Sequence, residues 1–172
     1  SEQISLSGRA AGVYYLQVYG YSGADNPNYT LILNTPGATG GITPDYFEDI
    51  DTKAIVDART AGDYNSPNLG QFIGQRTYAN LTLEDGADWY KFQTVSAGTS
   101  ANHVRIEFVH AQGDLDLKLY NASGTLLATS EGTGNSEQIS LNGRPGGVYY
   151  VQVYGYSGAT SPNYTLAINT PS

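Results

Sequence analysis

From about residue 69 onward, apolar and polar positions alternate with a period of two. The pattern predicts strands near 76–83, 87–94, 103–110, 114–120, 125–130, 136–141, 147–156 and 163–169. Gly98, Gly113, Ser123-Gly124, Gly132–Gly134 and Gly143–Gly147 mark the turns between them. Short strands with glycine-rich turns at this spacing predict an all-β fold, an antiparallel, jelly-roll-like β-sandwich of about 100 residues. No helical crossover pattern intervenes, so parallel pairing is not expected. In DLDLKLY, alternation puts Leu115, Leu117 and Leu119 on the core face, opposite Asp114, Asp116 and Lys118. Those acids are either solvated or cation ligands. In VYYVQVYGY, Tyr149, Val151 and Val153 share one face, and Tyr150, Gln152, Tyr154 and Tyr156 the other. Trp89 is the only tryptophan and opens a strand, where burial is its default role.

Ahead of this region the pattern changes. Residues 37–44, GATGGITP, read as a flexible linker. Residues 45–63 carry six acids (Asp45, Glu48, Asp49, Asp51, Asp57, Asp63) against Lys53 and Arg59, half of the net charge of −8. Thr43-Pro44 reads as the start of a short helix over 45–58, with Phe47, Ile50, Ala54 and Ile55 near one face.

A repeat organises the whole. Residues 1–36 and 136–171 are identical at 28 of 36 positions. The offset of 135 residues sets the period. The organisation is then the C-terminal part of a preceding repeat at 1–36, a glycine-rich then acidic linker at 37–68, and a complete sandwich at 69–172. The first copy predicts three strands, near 2–6, 12–21 and 28–34, whose apolar faces and open edges need partners. No basic, apolar leader opens the sequence, which reads as a mature or excised window on a tandem array, cut inside a module.

Composition narrows the function. Acids outnumber bases by 16 to 8, which argues against nucleic acid, whose phosphates need a basic surface. No apolar run approaches the ~20 residues of a membrane-spanning helix, so membrane insertion is not expected. The chain has no cysteine, which excludes disulfides, thiolate zinc sites and thiol catalysis. Charged residues make up only 14%, against about 25% in ordinary soluble domains. Glycine, serine, threonine, asparagine and tyrosine replace them, as suits an extracellular or cell-surface β protein. No catalytic constellation is expected. His103 and His110 are the only histidines; read on one strand, they face opposite ways about 20 Å apart. GYSGA lacks the second glycine of a nucleophile elbow.

Three candidate sites remain. Asp85 and Asp88 flank Gly86 in a turn that lets two carboxylates converge on a hard cation, and calcium takes six to eight oxygens. Asp63, Asn65 and Asn68 would add oxygens if the linker folds back onto this turn. The face of Tyr150, Gln152, Tyr154 and Tyr156, repeated at Tyr15, Gln17, Tyr19 and Tyr21, combines apolar area with hydroxyls, which suits sugar rings, a peptide strand or a neighbouring domain. The competing reading is a cross-strand tyrosine ladder covered by a loop. Asn28, Asn80, Asn121 and Asn163 lie in Asn-x-Ser/Thr triplets, the glycosylation acceptor pattern.

Five segments in order, GDYNSPNLG, DGADWYKF, GDLDLKLYNASGTLLATS, the Gly-Val-Tyr-Tyr-Val-Gln-Val-Tyr-Gly-Tyr strand and NYTLAI, resemble the bacterial pre-peptidase C-terminal domain family over about 63–168. The resemblance implies a non-catalytic β-sandwich module of secreted bacterial proteins, related to the collagen-binding modules of collagenases. Some members bind calcium between the segment before the first strand and the Asp-rich turn. By position this implies Asp85 and Asp88 as ligands, with Asp63 and Asn65 from the preceding segment. Where calcium-binding members carry a Glu-rich segment ending in Pro-Asn, this chain has GDYNSPNLG.

Two functions are therefore expected to compete. One is a structural repeat, a spacer or filament unit stabilised by calcium, whose partners are neighbouring repeats or copies of itself joined by strand complementation. The other is a module that binds polysaccharide or a fibrous, collagen-like protein through the tyrosine face of a secreted hydrolase.

Overall fold

The computed structural model describes residues 4–5, 14–25, 31, 42–63 and 65–172. The chain divides into two units, Ser1–Thr39 and Gly40–Ser172. In the second unit nine strands form two sheets. They are β1 (Asn68–Gln71), β2 (Gly74–Leu83), β3 (Ala87–Thr94), β4 (His103–Phe108), β5 (Leu115–Asn121), β6 (Leu126–Ser130), β7 (Ser136–Ser140), β8 (Gly147–Gly155) and β9 (Ser161–Thr170). One sheet runs β1-β3-β8-β5-β6 and the other β2-β9-β4-β7. All eight strands expected from the alternation are present. β4 stops at Phe108, so His110 falls in a 3-10 turn and the two histidines do not share a strand.

The core follows the alternation. Leu115, Leu117 and Leu119 of β5 are buried with Tyr149, Val151 and Val153 of β8, facing Val104 and Ile106 of β4 and Tyr164, Leu166 and Ile168 of β9. In β2, Tyr78, Leu81 and Leu83 all reach this core although Tyr78 and Leu81 are an odd number apart. A bulge between them, with Asn80 at φ 59°, takes up the extra residue and restores the facing.

Three expectations are corrected. β1 was not expected, because NLGQ is too short to show a period, and it pairs parallel with β3. The crossover between them is supplied by β2 in the opposite sheet rather than by a helix. The helix expected over 45–58 is confined to α1 (Lys53–Asp57), capped by Thr52, whose hydroxyl accepts the Ile55 N–H at 3.3 Å. Upstream, the side chains of Asp45 and Glu48 accept the N–H groups of Phe47 (2.8 Å) and Ile50 (3.0 Å), turns that compete with helix. Phe47 and Ile50 then enter the sandwich core from what reads in sequence as linker. Finally, Asp116 is buried rather than solvated.

In the first unit, residues 4–5, 14–20 and 31 are described, and none is in a strand. The rest of the three strands expected there lies outside the described residues. A 3-10 turn forms at Tyr21–Gly23.

Candidate functional site

The turn between β2 and β3 gathers carboxylates from two stretches of chain. The Trp89 N–H donates to the Ile50 carbonyl at 2.9 Å, which holds residues 48–51 alongside the start of β3. Asp45 is fixed against β2, its Oδ2 accepting the Thr82 N–H at 2.7 Å. The Thr82 hydroxyl donates to the Thr43 carbonyl at 3.0 Å and reaches Glu84 Oε2 at 3.4 Å. Asp85 closes the turn on the Ala87 N–H at 3.4 Å.

Asp88 is the centre of this group. Its side chain is fully buried, with 0% exposure. Oδ2 accepts the Tyr164 hydroxyl, which lies 2.6 Å from the hydroxyl of the equally buried Tyr90. Oδ1 has no hydrogen-bond partner, and neither has the buried Oε1 of Glu48. A buried carboxylate oxygen without a donor or counter-charge is costly. Burial, together with the charges of Glu48, Asp45 and Glu84, pushes the Asp88 carboxyl up to about 9, against the pull of the Tyr164 hydrogen bond. Burial and the neighbouring Glu84, Asp45 and Asp85 push Glu48 up to about 8. Glu84 is raised by burial and by Asp85 and Asp45, and Asp51 by burial, Asp85 and Asp49. Every charge raising these four groups is another carboxylate. Among the described residues, no three acid or histidine side chains converge on one point as they stand.

Of the four residues expected as metal ligands, Asp85 and Asp88 lie in this group. Asp63 and Asn65 instead line a shallow pocket with Tyr46, Phe47, Arg76 and Tyr78. Asp63 is exposed and is not among the main charges acting on Glu48 or Asp88. The linker's contribution comes from Asp45 and Glu48, with Glu84 added from the turn. The signal that could have found them was the density of acids from residue 45; what hid them was the assumed helix.

The tyrosine face is divided. Tyr150 is 3% exposed, because α1 lies over it. Its hydroxyl donates to Asp57 at 2.5 Å, and the ammonium groups of Lys53 and Lys91 stand 4.1 and 5.5 Å from its ring centroid. Lys53 and Lys91 also pair with Asp57, at 2.6 and 2.9 Å. Gln152 accepts the Tyr120 hydroxyl at 2.9 Å, and Tyr120 packs on half-buried Trp89 with centroids 5.0 Å apart. Tyr154 donates to Glu131 at 2.6 Å beneath Lys118, whose ammonium is 3.9 Å from the ring centroid. Tyr156 is 65% exposed, in a turn beyond β8. Asp116 shares this neighbourhood, pushed up to about 6 by burial and by Asp114, Glu131 and Glu137. Of the Asn-x-Ser/Thr triplets, Asn80 and Asn163 are exposed. Asn121 closes the β5–β6 turn by accepting the Thr125 N–H at 2.9 Å, and Asn28 lies outside the described residues.

No curated protein matches the chain. Among solved structures, the crystal structure of the pre-peptidase C-terminal domain of collagenase from Bacillus anthracis is similar, at 21% identity and a TM-score of 0.42, over 56% of this chain and 90% of that one. From Gly86 in the acidic turn to Gly155 at the end of β8, the chain matches the model of the bacterial pre-peptidase C-terminal domain, the family that its five motifs resemble.

Proposed function

We propose that residues 40–172 form a non-catalytic module of a secreted or cell-surface protein, a spacer in which calcium locks the acidic lead-in segment onto the sandwich. The observation that carries this reading is the buried, unpartnered Oδ1 of Asp88 among Glu48, Asp45 and Glu84, with Asp85 beside Glu48. All donors there are oxygen, the set a hard divalent cation prefers, and among the described residues no ammonium or guanidinium pairs with them. Mutual repulsion keeps carboxylates apart until a cation offsets it. Calcium would be held by Asp88, Asp85, Glu48 and Glu84, and it would supply charge neutralisation rather than chemistry. Its mechanical effect follows from chain connectivity. Glu48 lies in the lead-in segment, and Asp88 hydrogen-bonds Tyr164 of β9. One ion would therefore join the lead-in segment to both sheets.

The test is thermal melting of the full chain in millimolar calcium and in chelator. At 100 times the dissociation constant, binding to the folded state adds about 2.7 kcal/mol, a shift of several degrees. Asp88→Asn should abolish the shift and Asp63→Asn should leave it intact. Identical melting in calcium and chelator overturns the reading.

A further inference from the structure

The strand order puts every second turn at the same end of the sandwich. The turns β2–β3, β4–β5, β6–β7 and β8–β9 lie at one end, and β1–β2, β3–β4, β5–β6 and β7–β8 at the other. Charge follows this division. The first set of turns carries Glu84, Asp85, Asp114 and Glu131 and no lysine or arginine. The second residues of β3, β5 and β7 add Asp88, Asp116 and Glu137 at that end. The second set of turns carries one charged residue, Arg144.

Arg144 lines a cleft of about 420 Å³ with Leu127, Pro145, Val148 and Tyr149. Its Nε donates to the Ser140 carbonyl at 3.1 Å, and it pairs with no carboxylate among the described residues. Lys53 of α1 also reaches this end, where a Cβ on Gly124 would stand 4.0 Å from its Cδ. The carboxylate that α1 brings with it, Asp57, is already shared by Lys53 and Lys91. An arginine beside apolar walls and without a counter-charge suits an aromatic, acidic partner.

The opposite end offers that chemistry. Tyr156 in the β8–β9 turn is 65% exposed, and its N–H donates to the Asp114 carbonyl at 2.9 Å. Glu131 is exposed beside it, accepting the Tyr154 hydroxyl at 2.6 Å. Asp114, Glu131 and Glu137 all act on Asp116, so the four carboxyls share one neighbourhood.

We propose that copies of this chain dock end to end, Tyr156 and the carboxylates around it entering the cleft beside Arg144 on a second copy. The two surfaces differ and lie at opposite ends of one sandwich, so each copy keeps one end free and the contact extends into a row rather than closing as a symmetric pair. Tyrosine supplies apolar area with a hydroxyl handle, while the charges at the rim steer the ends together and set their order. The proposal does not depend on calcium.

The test is the mass of the full chain by light scattering, in chelator so that calcium plays no part. At low salt the mass should rise with protein concentration. It should fall to that of a single chain at ~1 M salt, where the screening length is about 3 Å. Arg144→Glu spoils one end, and Glu131→Lys with Tyr156→Ser spoils the other. Each variant alone should weaken association about tenfold or more, since like charges then meet. Mixed in equal amounts, the two variants should form a pair of one copy each and nothing larger, because each retains the end that the other has lost. The mixed pair also shows that both variants are folded. A single-chain mass for the unsubstituted protein at low salt, association of either variant at the unsubstituted strength, or a mixture that forms no pair overturns the proposal.

Discussion

Residues 14–25 and 149–160 are nearly the same sequence in two structural situations, and the difference separates what a sequence encodes locally from what it encodes through a partner. In the second copy Tyr150 and Val151 are 3% and 0% exposed; their counterparts Tyr15 and Leu16 are 96% and 49% exposed. Between β3 and β5, residues 147–155 are a strand; residues 14–20 are not in a strand. The turn that follows is indifferent to this. Tyr21–Gly23 and Tyr156–Gly158 both form 3-10 turns, with Ser22 at φ 53°, ψ 33° and Ser157 at φ 52°, ψ 29°. The Ala24 and Ala159 N–H groups return to the tyrosine carbonyls at 3.1 and 3.0 Å. A Cβ on Gly20 or Gly155 would fall 1.6 or 1.7 Å from the carbonyl oxygen of Ala24 or Ala159, so glycine is required by the turn itself.

The largest expected contrast comes from one substitution made in each copy. Leu166→Ala removes a fully buried side chain from β9 and should cost about 2–5 kcal/mol of unfolding free energy. Leu31→Ala, at the matching position, should leave the cooperative transition unchanged. Denaturant titration of the two variants decides it, and equal losses would break the comparison. Glycine gives a smaller contrast. Gly155→Ala should cost about 1–3 kcal/mol, because the displaced turn pulls on the ends of β8 and β9. Gly20→Ala should distort its own turn, visible as local amide shifts in NMR, without moving the melting temperature.

The same division explains what could be read from the sequence. Alternation placed eight strands correctly, because in a sandwich the periodic signal and the burial that causes it coincide residue by residue. It failed for β1, where four residues held by one neighbour leave no period. It failed again for residues 45–58, whose apolar residues Phe47 and Ile50 are set by reaching the core from turns rather than from a helix face. The acidic turn was legible in Asp85 and Asp88, since both sit beside one glycine. Glu48 was not, because its approach to Asp88 depends on the Trp89–Ile50 backbone bond. Nor does alternation distinguish an outer face open to solvent from one roofed by α1, which is why Tyr150 could be read as part of a ligand surface.

The smallest contrast lies under that roof. Tyr150→Phe removes the hydroxyl donated to Asp57 and should cost about 0.5–1.5 kcal/mol, whereas Tyr15→Phe should cost nothing measurable. Burial by itself would raise Asp57, but donors from Lys53, Tyr150 and Lys91 outweigh it and hold the carboxyl well below the usual range. A carboxyl depressed by folding contributes stability that is fully present above its unfolded value of about 3.9 and fades as pH falls towards the folded one. The melting temperature should therefore drop as pH is lowered from 5 to 2, and the drop should be shallower in Asp57→Asn. With its side chain 35% exposed, solvent screening keeps the effect small. An unchanged acid slope in Asp57→Asn would mean that α1 rests on Tyr150 by packing alone. The charge–hydroxyl network would then have no part in making the two copies differ.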